Sequence, residues 1–206
     1  MSAINRKFFF DQARTTLFDG SLKQQQVNGL TGLLDYWEAK HSKKDDRWLA
    51  YVIATAHHEV DRKMMPIKEY GGSKYFFRKY DIEGDNPRLA RELGNIAKGD
   101  GVRFHGRGFV QLTGRANYAA WEKRLKTDLT SSYENANKVL ELGFATQILF
   151  EGMILGTFTG KKLSDYLDGV REDWEGARRI INGRDKKALI ASYAKSYYAA
   201  ISYTTA

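Results

Sequence analysis

The sequence predicts a mainly α protein formed as a single domain over residues 1–206. Apolar side chains recur at three- and four-residue steps through most of the chain, the period of a helix with one buried face. Helix-capping patterns fall between those stretches. No internal repeat, low-complexity linker or composition break divides the chain.

Residues 5–18 read as a first helix, with Ile4, Phe8, Ala13 and Leu17 on one face, broken by Asp19-Gly20. Ser21 and Gln24 form a Ser-x-x-Gln capping box that opens a second helix bearing Val27, Leu30, Leu34 and Trp37. Residues 41–47 are polar and basic and read as a solvated loop, with Asp45 or Asp46 capping the next helix. That third helix carries Leu49, Val52, Ile53 and Ala56 on its buried face. Residues 70–85 are rich in glycine and aromatics without a period and read as loop. Asn86-Pro87 opens a short helix that Gly94 ends. Gly99, Gly101, Gly106 and Gly108 imply tight turns and close backbone approach. Residues 109–113 read as extended and 116–125 as helical. Ser131 and Glu134 form a second capping box, and residues 140–155 are apolar on most sides, as in a central buried helix. Residues 173–181 read as a helix stopped by Gly183. Asp185 caps a last one, with Leu189, Tyr193, Tyr197 and Ile201 on one face.

At 206 residues the chain is long enough to bury a core, and 42% hydrophobic with 28% charged residues is ordinary for a globular protein. A net charge of +8 favours an anionic partner: nucleic acid, membrane surface or acidic cell-wall polymer. The basic residues are scattered through every segment, which argues against nucleic acid. The absence of cysteine excludes disulfides, thiol nucleophiles and cysteine zinc sites. Before Asp11 the only apolar run is Phe8-Phe9-Phe10, whereas a secretory signal needs roughly 7–15 apolar residues. Residues 148–158 contain Glu151 and fall well short of the roughly 20 needed to span a bilayer. The expectation is a soluble protein with nothing directing export.

Two acids stand out. Glu59 continues the apolar face of the third helix, where a carboxylate is costly unless paired or partly protonated. A partly protonated glutamic acid is what a general acid needs near neutral pH. Glu69 follows Pro66 and precedes Gly71-Gly72, on a loop. Two carboxylates in unlike surroundings point to glycoside hydrolysis. The plainer alternative pairs Glu59 with Arg62 or Lys63 and leaves Glu69 solvated. His57 and His58 lack the zincin spacing, since Asp61 and Arg62 stand where a second histidine belongs, although a site from His57 or His58 with His105 and a carboxylate stays open. Gly106-Arg107-Gly108 is followed by no Gly-Lys-Ser/Thr, so nucleotide binding is not indicated. Gln111, Thr113 and Asn117 are short polar groups that can bond sugar hydroxyls, an acetamido group or a water, or else cap the next helix. Aromatics at residues 75–80 can stack on sugar rings or fill the core.

These stretches together resemble glycoside hydrolase family 19, in particular its compact phage and prophage endolysins. The resemblance rests on Ala56-His57-His58-Glu59, on Pro66-Ile67-Lys68-Glu69-Tyr70-Gly71, on the block from Gly99 through His105-Gly106-Arg107-Gly108 to Asn117-Tyr118, and on Ile180-Ile181-Asn182-Gly183. It implies a lysozyme-like fold with two helical lobes flanking a substrate cleft, and an inverting hydrolase of N-acetylated aminosugar polymers. By that likeness Glu59 is the general acid, Glu69 the base that activates water, and Thr113 the hydroxyl that holds the water. His58, Tyr70, Arg107, Gln111, Asn117, Tyr118 and Asn182 fall at substrate-binding positions. No metal or other cofactor is implied. Val60-Asp61, Arg184 after Gly183 and the lack of disulfides depart from the family pattern.

The function expected is that of an endolysin cleaving the glycan strands of peptidoglycan. It would act as a monomer without a wall-binding module, held in the host cytoplasm until a holin-type membrane protein releases it to the wall. A chitinase with the same residues is the nearest alternative. A zinc amidase or peptidase and a non-enzymatic binding module are the others.

Overall fold

The computed structural model describes residues 3–183 and 185–204, so the Arg184 departure lies outside the described residues. The chain is mainly α and divides into two compact units, residues 1–65 with 146–206, and residues 66–145.

The first unit opens with α1 (Arg6–Leu17), capped by Asn5, whose side chain accepts from the Phe8 amide at 3.0 Å. In α2 (Gln24–Lys40) the cap lies two residues beyond the expected box: Lys23 precedes the helix, and Gln26 accepts from its amide at 2.8 Å. Gly29 of α2 is required by close approach, because a Cβ there would lie 1.6 Å from the Met64 carbonyl. Residues 42–44 are an exposed turn, as expected, but the ends of the 41–47 stretch are anchored. His41 bonds Glu151 at 2.9 Å and stacks on Phe150, and Arg47 is buried against Asp45 and the carbonyls of Gly169 and Arg171. Asp45 caps α3 (Asp46–Glu59). That helix is buried on all sides from Leu49 to His57, not along one stripe, because α2 and α10 (Lys187–Ala200) both pack against it.

The second unit pairs two short antiparallel strands, β1 (Ile67–Lys68) and β2 (Arg107–Gly108), with Ile67 opposite Gly108. Residues 70–85, read as loop, contain α4 (Ser73–Tyr80), which buries Phe76 and Tyr80. α5 (Pro87–Glu92) is capped by Asn86 as expected. α6 (Asp100–Arg103) packs on α4, and the buried Asp81 carboxylate accepts from the amides of Gly99 and Gly101 at 2.8 and 3.0 Å. Asp100, paired with Arg115, and Asn95, bonded to the Tyr80 carbonyl and the Arg115 amide, complete a buried polar frame under the glycine-dense segment. Residues 109–111 are a turn and not extended chain, with Gln111 in a left-handed backbone (φ 52°), and the chain pairs again only at Leu112, which bridges Arg107. α7 (Arg115–Leu125) and α8 (Tyr133–Asn137) follow, the latter capped by Ser132 and not Ser131, whose hydroxyl is held by Asp128.

The apolar helix α9 (Leu142–Leu155) leads back into the first unit. There Arg47 and Trp48 hold the small hairpin of β3 (Leu167–Asp168) and β4 (Arg171–Glu172). Within the stretch expected to be helical at 173–181, only a 3-10 helix over Gly176–Ile180 forms. On α10 the buried face is Ile190, Ala191, Ala194, Tyr197 and Ala200, while Leu189 is exposed. No helix among the described residues is long and apolar enough to cross a membrane.

Candidate active site

In the first unit Glu59 is the last residue of α3, and its side chain remains 20% exposed. It pairs with Arg178, whose Nη1 donates to Glu59 Oε1, and not with Arg62. Arg178 is almost wholly buried on the 3-10 helix, and its Nε donates to the Asp185 carbonyl at 3.1 Å. The Asn182 amide bonds the Arg178 carbonyl at 3.1 Å, so one arginine ties Glu59 to the Ile180–Gly183 motif. Asn182 itself is exposed, its Oδ1 accepting from the Gly183 amide. Arg62 is turned away, onto Asp19 and the Leu17 carbonyl. The turn after Glu59 has left-handed backbone at Asp61, Arg62 and Met64, a conformation that costs roughly 1–2 kcal/mol per non-glycine residue and concentrates at functional sites.

His58 is half-buried beside Glu59. His57 is buried, with Nδ1 2.8 Å from the Tyr197 hydroxyl. Burial pushes its imidazole down to about 4, with Arg62 and His58 adding to the effect. His105 is also buried, stacked on Phe76 at 4.0 Å with Nδ1 on the Val102 carbonyl. Among the described residues no group of three or more histidine or carboxylate side chains is placed to hold a metal ion.

In the second unit Glu69 follows β1 directly, and its amide donates to the Gly106 carbonyl at 2.8 Å. Its carboxylate accepts from the Gly106 amide at 3.1 Å, from the Tyr80 hydroxyl at 2.9 Å and from Lys79 Nζ at 3.1 Å. Against the cost of burial, Tyr75, Tyr80 and Glu69 hold the Lys79 ammonium above its ordinary range. Burial, with Glu69 alongside, pushes the Tyr80 phenol up against the opposing pull of Lys79. Gly106 is the hinge of this cluster. A Cβ built on it would lie 2.9 Å from Gln111 Oε1, 3.1 Å from Glu69 Oε2 and 3.2 Å from Thr113 Oγ1. A carboxylate, an amide and a hydroxyl therefore converge where the chain has no side chain. Gln111 is fixed by the carbonyls of Ile67 and Gly108, Thr113 by the Gln111 carbonyl, and Asn117 by the Thr113 carbonyl at 2.7 Å.

The structure thus gathers Glu69, Gln111, Thr113 and Asn117 in one place, and connects Glu59 with the Asn182 segment in another. Tyr70 is 71% exposed next to Glu69. Arg107 and Tyr118 do not fit direct substrate contact. Both are fully buried, with Arg107 donating to Asn137, to the carbonyls of Arg103 and His105 and to the Tyr118 hydroxyl. Burial pushes the Tyr118 phenol up to about 12, and the pair serves as a brace beneath β2. Of two further acids, Glu83 pairs with Lys98 and Asp61 is exposed.

Arg178 and Lys79 escaped the sequence reading, which took Tyr80 only as a sugar-stacking or core aromatic and not as a donor to Glu69. An arginine set between Ala177 and Ile180-Ile181 needs a buried partner, and that was the available signal for Arg178. The four-residue steps Tyr75–Lys79 and Phe76–Tyr80 were the signal for α4, masked by Gly71-Gly72.

No protein-family model matches the chain, and no curated protein matches it. Among solved structures, chitinase C from Streptomyces griseus HUT6037 is similar, at a TM-score of 0.53 and 16% identity over 95% of this chain and 75% of that one. A mutant of chitinase C aligns at a TM-score of 0.44 and 16% identity, over 91% of this chain and 76% of that one. The chain therefore shares the mainly α fold of chitinase C.

Proposed function

We propose that this protein is an endolysin that hydrolyses the β-1,4 bond between N-acetylated aminosugars in the glycan backbone of peptidoglycan, with inversion at the anomeric carbon. The observation that carries the reading is the convergence of Glu69, Gln111 and Thr113 beside the bare Gly106, which groups a carboxylate with an amide and a hydroxyl. In this reading Glu59 protonates the glycosidic oxygen. Glu69 takes a proton from a water that Thr113 holds, and the water attacks the opposite face of the sugar. For Glu59 to give up a proton, its pairing with Arg178 has to loosen as the sugar chain covers it. Gln111, Asn117, Asn182, His58 and Tyr70 would contact the sugar; Arg107 and Tyr118 would act only as supports.

A net charge of +8 suits an anionic cell envelope. The protein would act alone on glycan strands once a holin-type membrane protein admits it to the wall. The second reading is a chitinase of the same mechanism, favoured by the fold likeness to chitinase C.

Mass spectrometry of purified peptidoglycan digested by the wild type and by Glu59→Gln tests the proposal. Reducing muropeptides with intact stem peptides, absent with the variant, are expected, and the product should appear first as the inverted anomer by proton NMR. Free stem peptides that persist with the variant would overturn the carboxylate mechanism. Products from chitin alone would make the protein a chitinase.

A further inference from the structure

A groove of about 680 Å³ runs along α4, lined by Lys74, Tyr75, Arg78, Lys79, Asp85 and Asn86. That volume suits a ligand of a few sugar or amino-acid units. The groove adjoins the cluster of the second unit through Lys79, which lines it while its Nζ reaches Glu69 at 3.1 Å and the Tyr75 hydroxyl at 2.9 Å.

Its charges are unequal. Arg78 is matched by Asp85 at 2.7 Å, and Lys79 by Glu69. Lys74 has no carboxylate partner among the described residues, so the groove presents an unmatched cation at its rim. The i, i+4 pairs Lys74–Arg78 and Tyr75–Lys79 align two cations and an aromatic–ammonium pair along one side of the helix, with Lys79 Nζ 5.1 Å from the Tyr75 ring centre. Tyr75 is 45% exposed and offers its ring to an apolar or sugar face. A neutral homopolymer of acetamido sugars has no group to answer Lys74. A glycan whose alternate sugars carry a peptide with free carboxylates does.

We propose that the α4 groove binds the acidic stem peptide of the glycan strand, and so selects peptide-bearing strands over bare or neutral ones. This rests on the reading of the protein as a glycan hydrolase and adds a specificity site to it. Lys74 supplies the charge, Tyr75 the apolar wall, and Lys79 links the occupied groove to the general base.

Two measurements test it. In the first, kcat/KM is compared for Lys74→Glu, Lys74→Arg and wild type on peptidoglycan with intact stems, and on the same strands stripped by an amidase, which keep only the lactyl carboxylate. The preference for intact strands is expected to fall about tenfold in Lys74→Glu through a raised KM, and to survive in Lys74→Arg. An equal change on both substrates, or none, overturns the proposal while leaving glycan hydrolysis standing. In the second, a synthetic acidic stem tetrapeptide containing D-glutamate is titrated into the wild type and followed by amide NMR. Shifts centred on residues 73–79 that weaken with salt are expected, and their absence overturns the proposal. This arm needs no turnover, so a wild type inactive on every glycan sinks the proposed function and still leaves the groove decided.

Discussion

Glu59 ends a helix whose residues from Leu49 to His57 are buried, and one guanidinium answers its charge. Glu69 follows a two-residue strand and shares its charge among an ammonium, a phenol and a backbone amide. A single buried partner makes the first acid brittle, because removing it leaves a carboxylate with no compensation. Three partners of different kinds make the second tolerant of losing any one. The first acid is thus held by the core of its unit, and the second by a turn whose shape depends on a glycine.

The largest effect should follow from attacking the single partner. Arg178→Met is expected to lower unfolding free energy by about 3 kcal/mol in chemical denaturation and to reduce turnover at least about 100-fold, with partial recovery in Arg178→Lys. Unchanged stability would mean that Glu59 is held by something other than this pair. Gly106→Ala should separate function from stability in the second unit. The atoms nearest the new methyl group are side-chain atoms and not backbone, so the cost to stability should stay near the low end of overpacking, about 1 kcal/mol. Those atoms belong to Glu69, Gln111 and Thr113, so activity should fall about 100-fold. Lys79→Met removes one of the three partners of Glu69, and the lysine side chain it replaces is 40% exposed. It should cost under about 1 kcal/mol and roughly tenfold in kcat, and a larger stability loss would show that the load at Glu69 is not shared.

The same contrast governs what was legible in the sequence. Helices α1, α2, α3 and α10 of the first unit followed from apolar periodicity, because burying a face is a local demand that spacing records. Glu59 was visible for the same reason, as a carboxylate on an apolar face. The partner of Glu59 was not, because Arg178 lies far along the chain and no local rule connects them. In the second unit the family-like motif located Glu69, Gln111 and Thr113, yet the backbone was misread. Residues 109–113 looked extended, but the left-handed Gln111 turns the chain and brings amide and hydroxyl together over Gly106. The family resemblance alone put Arg107 and Tyr118 at substrate-binding positions. Their burial is decided by Asn137, Tyr133 and the carbonyls of residues 103 and 105, which only the folded chain assembles.

The smallest expected effect lies in a feature the two regions share. Each unit buries one histidine in its neutral form. Burial depresses both imidazoles to about 4, aided by Arg62 at His57 and by Arg107 at His105. The unfolded chain takes up these protons near pH 6.5 while the folded chain refuses them until about pH 4. Stability from the histidines is therefore complete above about pH 6.5, is lost as pH falls toward about 4, and levels off below that. Between pH 7 and 5.5 each should cost about 1 kcal/mol. The carboxylates act lower: burial opposes ionisation of Asp100, but Arg115 and the amides of residues 96 and 97 hold it below its usual range, so its contribution fades below about pH 4. Thermal unfolding of the wild type, His57→Phe and His105→Phe across pH 5–7 reads the histidine window directly. Each variant should flatten the dependence by about half if the two units unfold in one transition. If they unfold separately, His57→Phe should flatten one transition and His105→Phe the other. A wild-type midpoint that does not move over this range would mean that neither histidine is kept neutral by its surroundings.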